Sequence, residues 1–294
     1  MKRSRLIVFI LSLAVAGTAC GQAPQDGPVG TSATDSPAIT ASDDRGQLYE
    51  GTGLVLETPD RDAEFCLGGV AESLPPQCEG IPIVGWDWTQ VDGGDKANGT
   101  TWGEFNLVGT YDGEIFTVQE AGPPKHGETA HADPIDTPCP EPAGGWTATD
   151  PARASQEDVV DAQREVSREP DFAGLWIDYY DQPPDGPTEE DPGNIILNVA
   201  FTGDLDRHER ELSDLWGGPL CMTQHDHTLR NLQKIQSEFP AHEFDLDTLW
   251  SDIDVVHGAV EIGVVTIDAE TMQRIDDRYG EDVVKVEARL KPVD

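Results

Sequence analysis

The sequence predicts two unlike folded parts behind an export segment. The first is a small all-β barrel of OB-like type over 47–120; the second is a two-layer α/β sandwich over 151–294 with one sheet face exposed. Three observations predict this. Between 47 and 120, β-branched and aromatic runs are short and broken by Gly and Pro. From 151 onward, helical and strand periodicities alternate. The stretch between them, 121–150, is a linker too rich in Pro and Gly for regular structure.

In the first part, LYEGTGLVLE (48–57), IPIVGWDWTQV (81–91), EFNLVGTY (104–111) and EIFTVQ (114–119) are expected strands. Asp112-Gly113 marks a hairpin turn between the last two. Few, Gly-punctuated strands suit a small barrel.

In the second part, Ser155 with Asp158 three residues on marks a capped helix start. FAGLWIDYY (172–180) and NIILNVAFT (194–202) are expected strands, separated by an acidic Pro-rich loop, 181–193. Helix 204–216 carries Leu205, Leu212, Leu215 and Trp216 on one side. Strand PLCMTQ (219–224) precedes a helix over 228–239, with Thr228 at its cap and Leu229, Leu232, Ile235 and Phe239 at helical spacing. A strand region over 255–267 leads to helix 269–279. In the last strand, Val284, Val286, Ala288 and Leu290 point one way. Lys285, Glu287 and Arg289 point the other, so this face is expected to meet water.

The chain begins with a signal. Lys2, Arg3 and Arg5 precede the apolar run 6–16, which is too short to span a bilayer, and Gly17-Thr18-Ala19 are small. Cys20 follows at once. This run resembles the lipobox of bacterial lipoproteins, with Gly17 in the place usually held by Leu. The resemblance implies that residues 1–19 are removed and that Cys20 carries diacylglycerol and an acyl chain such as palmitate. The protein would then stand on the extracytoplasmic face of the cell membrane. Residues 20–46, dominated by Pro, Gly, Ser, Thr, Ala and Asp, read as its flexible tether.

The formal net charge is −37, and removing the signal takes away three more positive charges. Such a chain repels phosphate backbones, which excludes nucleic acid as a partner. Five cysteines are an odd count; setting Cys20 aside leaves an even set in an oxidising compartment. Cys66 and Cys78 are close in sequence and flank Pro75-Pro76, so they are expected to pair, leaving Cys139 with Cys221.

Candidate chemistry is sparse. Trp86 and Trp88 alternate in an expected strand and Trp102 is near; exposed, they form a ligand platform, and buried, they form barrel core. His225 and His227 would share a strand face as a metal-ligand pair, but spacing fixes no third ligand, so no metal site is assigned. His126 and His131 lie in the linker. Asp245, Asp247, Asp252 and Asp254 lack the glycine of a standard calcium loop. Asn98-Gly99-Thr100 matches a glycosylation sequon by pattern. The G-x-S-x-G, H-E-x-x-H, P-loop and S-x-x-K motifs are absent. No catalytic residue and no cofactor is therefore assigned.

PDFAGLWIDYY followed by NIILNVAFTGD resembles a set of secreted or lipid-anchored actinobacterial proteins. Through Phe172-Ala173-Gly174-Leu175-Trp176-Ile177-Asp178 it also resembles the prodomain of alpha-lytic-type secreted serine peptidases. The expected function is that of a non-enzymatic binding module for a protein, peptide or envelope glycan. The alternatives are a carboxylate-dependent hydrolase of envelope polysaccharide and a prodomain-like modulator of a secreted peptidase. That last alternative leans on an uncovered sheet face and a free C-terminal segment, Lys291 to Asp294.

Overall fold

The structure, a computed structural model, describes residues 46–125, 137–180 and 195–293. The signal, Cys20, the tether up to residue 45, residues 126–136 of the linker with His126 and His131, and the acidic loop 181–193 lie outside the described residues. Residues Arg45–Asp294 form one compact unit. The fold is mostly β, built on three sheets. No helix among the described residues is long and apolar enough to cross a membrane.

The first sheet contains β1 (Leu48–Thr58), β2 (Arg61–Cys66), β3 (Ile81–Val84), β4 (Asp95–Ala97), β5 (Thr100–Tyr111) and β6 (Phe116–Gly122). Its order is β2-β3-β6-β5-β4 beyond β1, and β1 also pairs along its length with β5. Val55, Phe65, Leu107 and Phe116 are fully buried between these strands, each contributing roughly 1.5–3 kcal/mol of transfer free energy. The hairpin at Asp112-Gly113 forms as expected, with Asp112 Oδ1 accepting from the backbone N–H of Glu114 and Ile115. A second hairpin occupies the sequon: Asn98 and Gly99 both take positive φ between the paired Ala97 and Thr100. This is the Asn-Gly two-residue turn whose twist matches that of its strands.

The expected self-contained small barrel over 47–120 is corrected. The sheet has seven strands with β13 (Lys291–Pro292) and β4 at its ends, and β13 comes from the far end of the chain. Val293 N–H also donates to Leu48 O at 2.9 Å. The C-terminal segment is thus a paired strand rather than a free one. Of the two features on which the prodomain-like alternative leans, the free C-terminal segment is thereby corrected.

The second part repeats one unit. It begins with α1 (Gln156–Val166), β7 (Phe172–Tyr179), β8 (Ile195–Phe201), α2 (Leu205–Ser213) and β9 (Leu220–Gln224). Then come α3 (Leu229–Glu238), the short α4 (Ala241–Phe244), β10 (Thr248–Asp254), β11 (Ala259–Val264), α5 (Ala269–Tyr279) and β12 (Val284–Ala288). In each unit the first two strands are antiparallel, and a helix crosses over to a third, parallel strand. Both expected caps are present: Ser155 and Asp158 cap each other's backbone, and Thr228 Oγ1 accepts from Asn231 N–H at 3.1 Å.

Two three-stranded sheets therefore replace the single sandwich sheet, and the exposed-face expectation fails for one of them. Every residue of β8 is buried. Leu197, Val199 and Phe201 pack toward α1 and α2. On the opposite face, Asn198 donates to Thr137 Oγ1, Thr137 holds Asp178, and Cys139 is bonded to Cys221. Val255 and Val256 cover Ala173, Trp176 and Ala200 at the other end. The linker's C-terminal stretch and the β10–β11 turn supply the second layer that helices do not. On β12 the polar face is only half open, since Lys285 reaches Asp254 at 3.1 Å.

Candidate functional site

Two places on the molecule bring polar side chains together beside a cavity. The first is a groove of about 580 Å³ along β1, near β12 and β13. Gly51 and Gly53 line it; a Cβ on Gly53 would lie 2.5 Å from Cys66 O, so glycine there allows the close packing of β1 on β2. Glu50, Asn106, Thr52 and Lys125 form one network on its wall. Asn106, almost fully buried, donates to Glu50 Oε1 at 2.8 Å, and Thr52 Oγ1 donates to Asn106 Oδ1 at 3.0 Å. Lys125 pairs with Glu50. Hydrogen bonds from Lys125 and Asn106 hold the Glu50 carboxyl below its ordinary range. Glu287 and Arg289 stand on the rim, bonded to each other at 3.3 Å.

The second place lies where β7 begins and α2 starts. His208 is 2% exposed and lies flat on Phe201, with ring centroids 3.5 Å apart. Its Nε2 is 2.9 Å from Asp171 Oδ2 and 2.9 Å from Arg207 Nη2. Arg207 Nη2 is 3.3 Å from Glu169 Oε2. Nη1 is likewise 3.3 Å from Glu169 Oε2 and 2.9 Å from Glu211, and Nε is 3.1 Å from Asp204. Asp204 itself is left-handed, with φ +51, and offers the helix no side-chain cap. A cavity of about 250 Å³ lined by Glu169, His208 and Glu211 opens beside the cluster.

A third polar cluster lies within the second repeat, around the β10–β11 turn. Asp254 accepts from the backbone N–H of Val256 and His257, from the His257 ring at 2.6 Å and from Lys285 at 3.1 Å. Burial alone would raise its pKa, but the hydrogen bonds from His257 and Lys285 outweigh burial and hold it below the usual carboxylate range. Glu261 is pushed the other way, by burial and by the charge of Asp254. Neither acid lines either cavity described above.

The expected site residues are dispersed. Trp86 and Trp88 follow β3 in a turn rather than in a strand, because β3 stops at Val84. Their rings meet edge-on and both pack on Phe105, and Trp88 Nε1 donates to Glu57 at 2.7 Å. Trp102 is on β5 opposite Asp95, outside that ring cluster. His225 lies beyond the end of β9, its ring parallel to Trp176, and burial lowers its pKa. His227 sits in the turn before the Thr228 cap, so the strand-face His pair does not form. Asp245 ends α4 at φ +58, Asp247 accepts from the Tyr111 hydroxyl, and Asp252 and Asp254 are on β10, so the four acids do not converge. Cys66 is bonded to Cys78 and Cys139 to Cys221, as the spacing indicated.

Sequence reasoning passed over Glu169, Asp171 and His208. A signal was present: His208 sits at helical spacing between Leu205 and Leu212, on the apolar stripe of α2. An ionisable ring on a buried stripe needs a partner. No family model and no curated protein matches the chain.

Proposed function

We propose that the chain is a lipid-anchored extracytoplasmic binding module that holds a polypeptide segment in the groove along β1. The observation that carries this reading is the groove wall, where the Glu50–Asn106–Thr52–Lys125 network fixes polar groups. Fixed donors and acceptors of both signs suit the amides and side chains of a peptide. Among the described residues the groove lining contains no aromatic ring on which a sugar would stack, which favours a polypeptide over a glycan. Two disulfides support an oxidising compartment, and Cys20 behind small residues supports the anchor.

The address is tested by fractionation. Cys20→Ala should move the protein from the membrane fraction to the soluble one; equal membrane retention would reject the anchor. The binding reading is tested on intact cells with a photo-crosslinking residue at Glu104 in the groove and, as a control, at the exposed Asp277 on α5. One polypeptide should be captured from Glu104 and not from Asp277. Glu50→Gln should cut that yield roughly tenfold, the loss of one charged contact. Equal capture from both positions, or capture indifferent to Glu50→Gln, refutes the groove as the site.

A further inference from the structure

We propose that Glu169, Asp171 and His208 form a binding site for a divalent transition cation of the Zn²⁺ or Mn²⁺ class, with Arg207 as the resident positive charge that the metal displaces. This goes beyond the binding module and uses none of its groove residues. One ligand atom from each of the three side chains lies within 4.8 Å of the others. An imidazole nitrogen with two carboxylate oxygens is a donor set for these metals rather than for Ca²⁺ or Mg²⁺, which take oxygen alone.

Three features separate this cluster from an ordinary acidic surface. The first is the conflict at His208 Nε2. A single ring nitrogen is 2.9 Å from both a guanidinium N–H and a carboxylate oxygen. It can accept from Arg207 or donate to Asp171, but not both. Facing Arg207, it already presents the lone pair that a metal ligand needs. A cation between His208 and Asp171 removes the conflict, because both atoms then act as donors to it.

The second feature is Asp171 Oδ1, which is shielded from solvent and has no hydrogen-bond partner. A metal held by both carboxylate oxygens supplies one. The third is pre-organisation. His208 is held flat against Phe201 and buried, so its ring needs no ordering to bind.

Arg207 has somewhere to go. Its side chain is 34% exposed, and Nε and Nη1 are held by Asp204 and Glu211. Because the guanidinium is planar and rigid it leaves as a unit, swinging outward toward the exposed carboxylates of Asp204 and Glu211. Asp204 serves this arrangement in place of capping its own helix, at the expense of a left-handed backbone. The cavity beside His208 and Glu169 provides the entry. Two carboxylates and a neutral imidazole carry −2, which one arginine offsets by half and a divalent cation offsets fully. A chain at −37 concentrates such cations around itself.

The test is Zn²⁺ binding by equilibrium dialysis on the full chain in detergent, with excess Ca²⁺ present to fill weak acidic sites, and Mn²⁺ repeated by electron paramagnetic resonance. Saturable binding that approaches one ion per chain is expected. Glu169→Gln should weaken it about tenfold and Arg207→Gln should tighten it about tenfold, a difference of ~1.4 kcal/mol in each direction. Both side chains are partly exposed, and unchanged circular dichroism certifies the fold of each variant. Opposite effects of the two variants support the proposal, since a scattered surface site responds to neither. No saturable binding up to about 1 mM Zn²⁺ in wild type and in Arg207→Gln overturns the site. Binding indifferent to both substitutions overturns it equally, and weakening by Arg207→Gln overturns the displacement.

Discussion

Removing the Cys139–Cys221 disulfide, with Ala at both positions, is expected to lower the unfolding free energy by about 4–5 kcal/mol. The bond joins residues 82 apart. In the chain-entropy model the cost of freeing a loop grows with the logarithm of its length, and a loop of this size gives that figure. Cys66–Cys78 joins residues only 12 apart, so its removal should cost about 3 kcal/mol on the same basis. Urea unfolding of the two double-Ala variants compares them directly. The long bond also has a local role, since Cys139 pins the segment that carries Thr137 against Asp178 and Asn198. Its loss should therefore raise amide exchange along β8 before global unfolding, whereas loss of the short bond should not. Equal losses from the two variants, or a smaller loss from Cys139/Cys221, would show that the long bond does not act through the unfolded chain.

The second large effect is expected at Asp254. Its side chain is 13% exposed and receives two backbone N–H groups, a histidine ring and a lysine. Asp254→Ala leaves the two turn amides and Lys285 without their acceptor, at a cost of about 3 kcal/mol. The folded pKa is lowered, so the charged form favours the fold. That contribution is fully present above the unfolded value, near 3.9, and is lost as pH falls through the folded value. The gap between wild type and Asp254→Asn, measured by thermal unfolding, should therefore hold from pH 7 to about 5 and shrink below about 4. A gap that stays constant down to pH 2.5 would mean that the carboxylate's charge plays no part.

Legibility in the sequence followed the range of the interactions. Helices α1, α2, α3 and α5 were readable because apolar spacing and caps act within four residues, and Ser155 with Asp158 shows both signals. Strand β10 was not. Its Ser251-Asp252-Ile253-Asp254 run carries a single apolar residue, and pairing with β11 together with the packing of Leu249 and Ile253 holds it as a strand. The strand expected through Trp86 and Trp88 ended early, because Gly85 takes positive φ and turns the chain. The strand alternation weighed for His225 and His227, as for Trp86 and Trp88, does not reach them, because β9 ends at Gln224 and β3 at Val84.

The sequence by itself determined the charge, the cysteine pairing, the capped helices and the all-β character of the first half, since composition and short-range spacing carry each of these. Tertiary structure alone decided that β13 returns to pair with β1, that the linker's end roofs the β7–β9 sheet, and that His208 meets Glu169 and Asp171. Backbone pairing and burial bring residues together without regard to their separation along the chain. Asp171 and His208, 37 residues apart, come within 2.9 Å because β7 and α2 pack on one core, and no periodicity within either segment encodes that meeting.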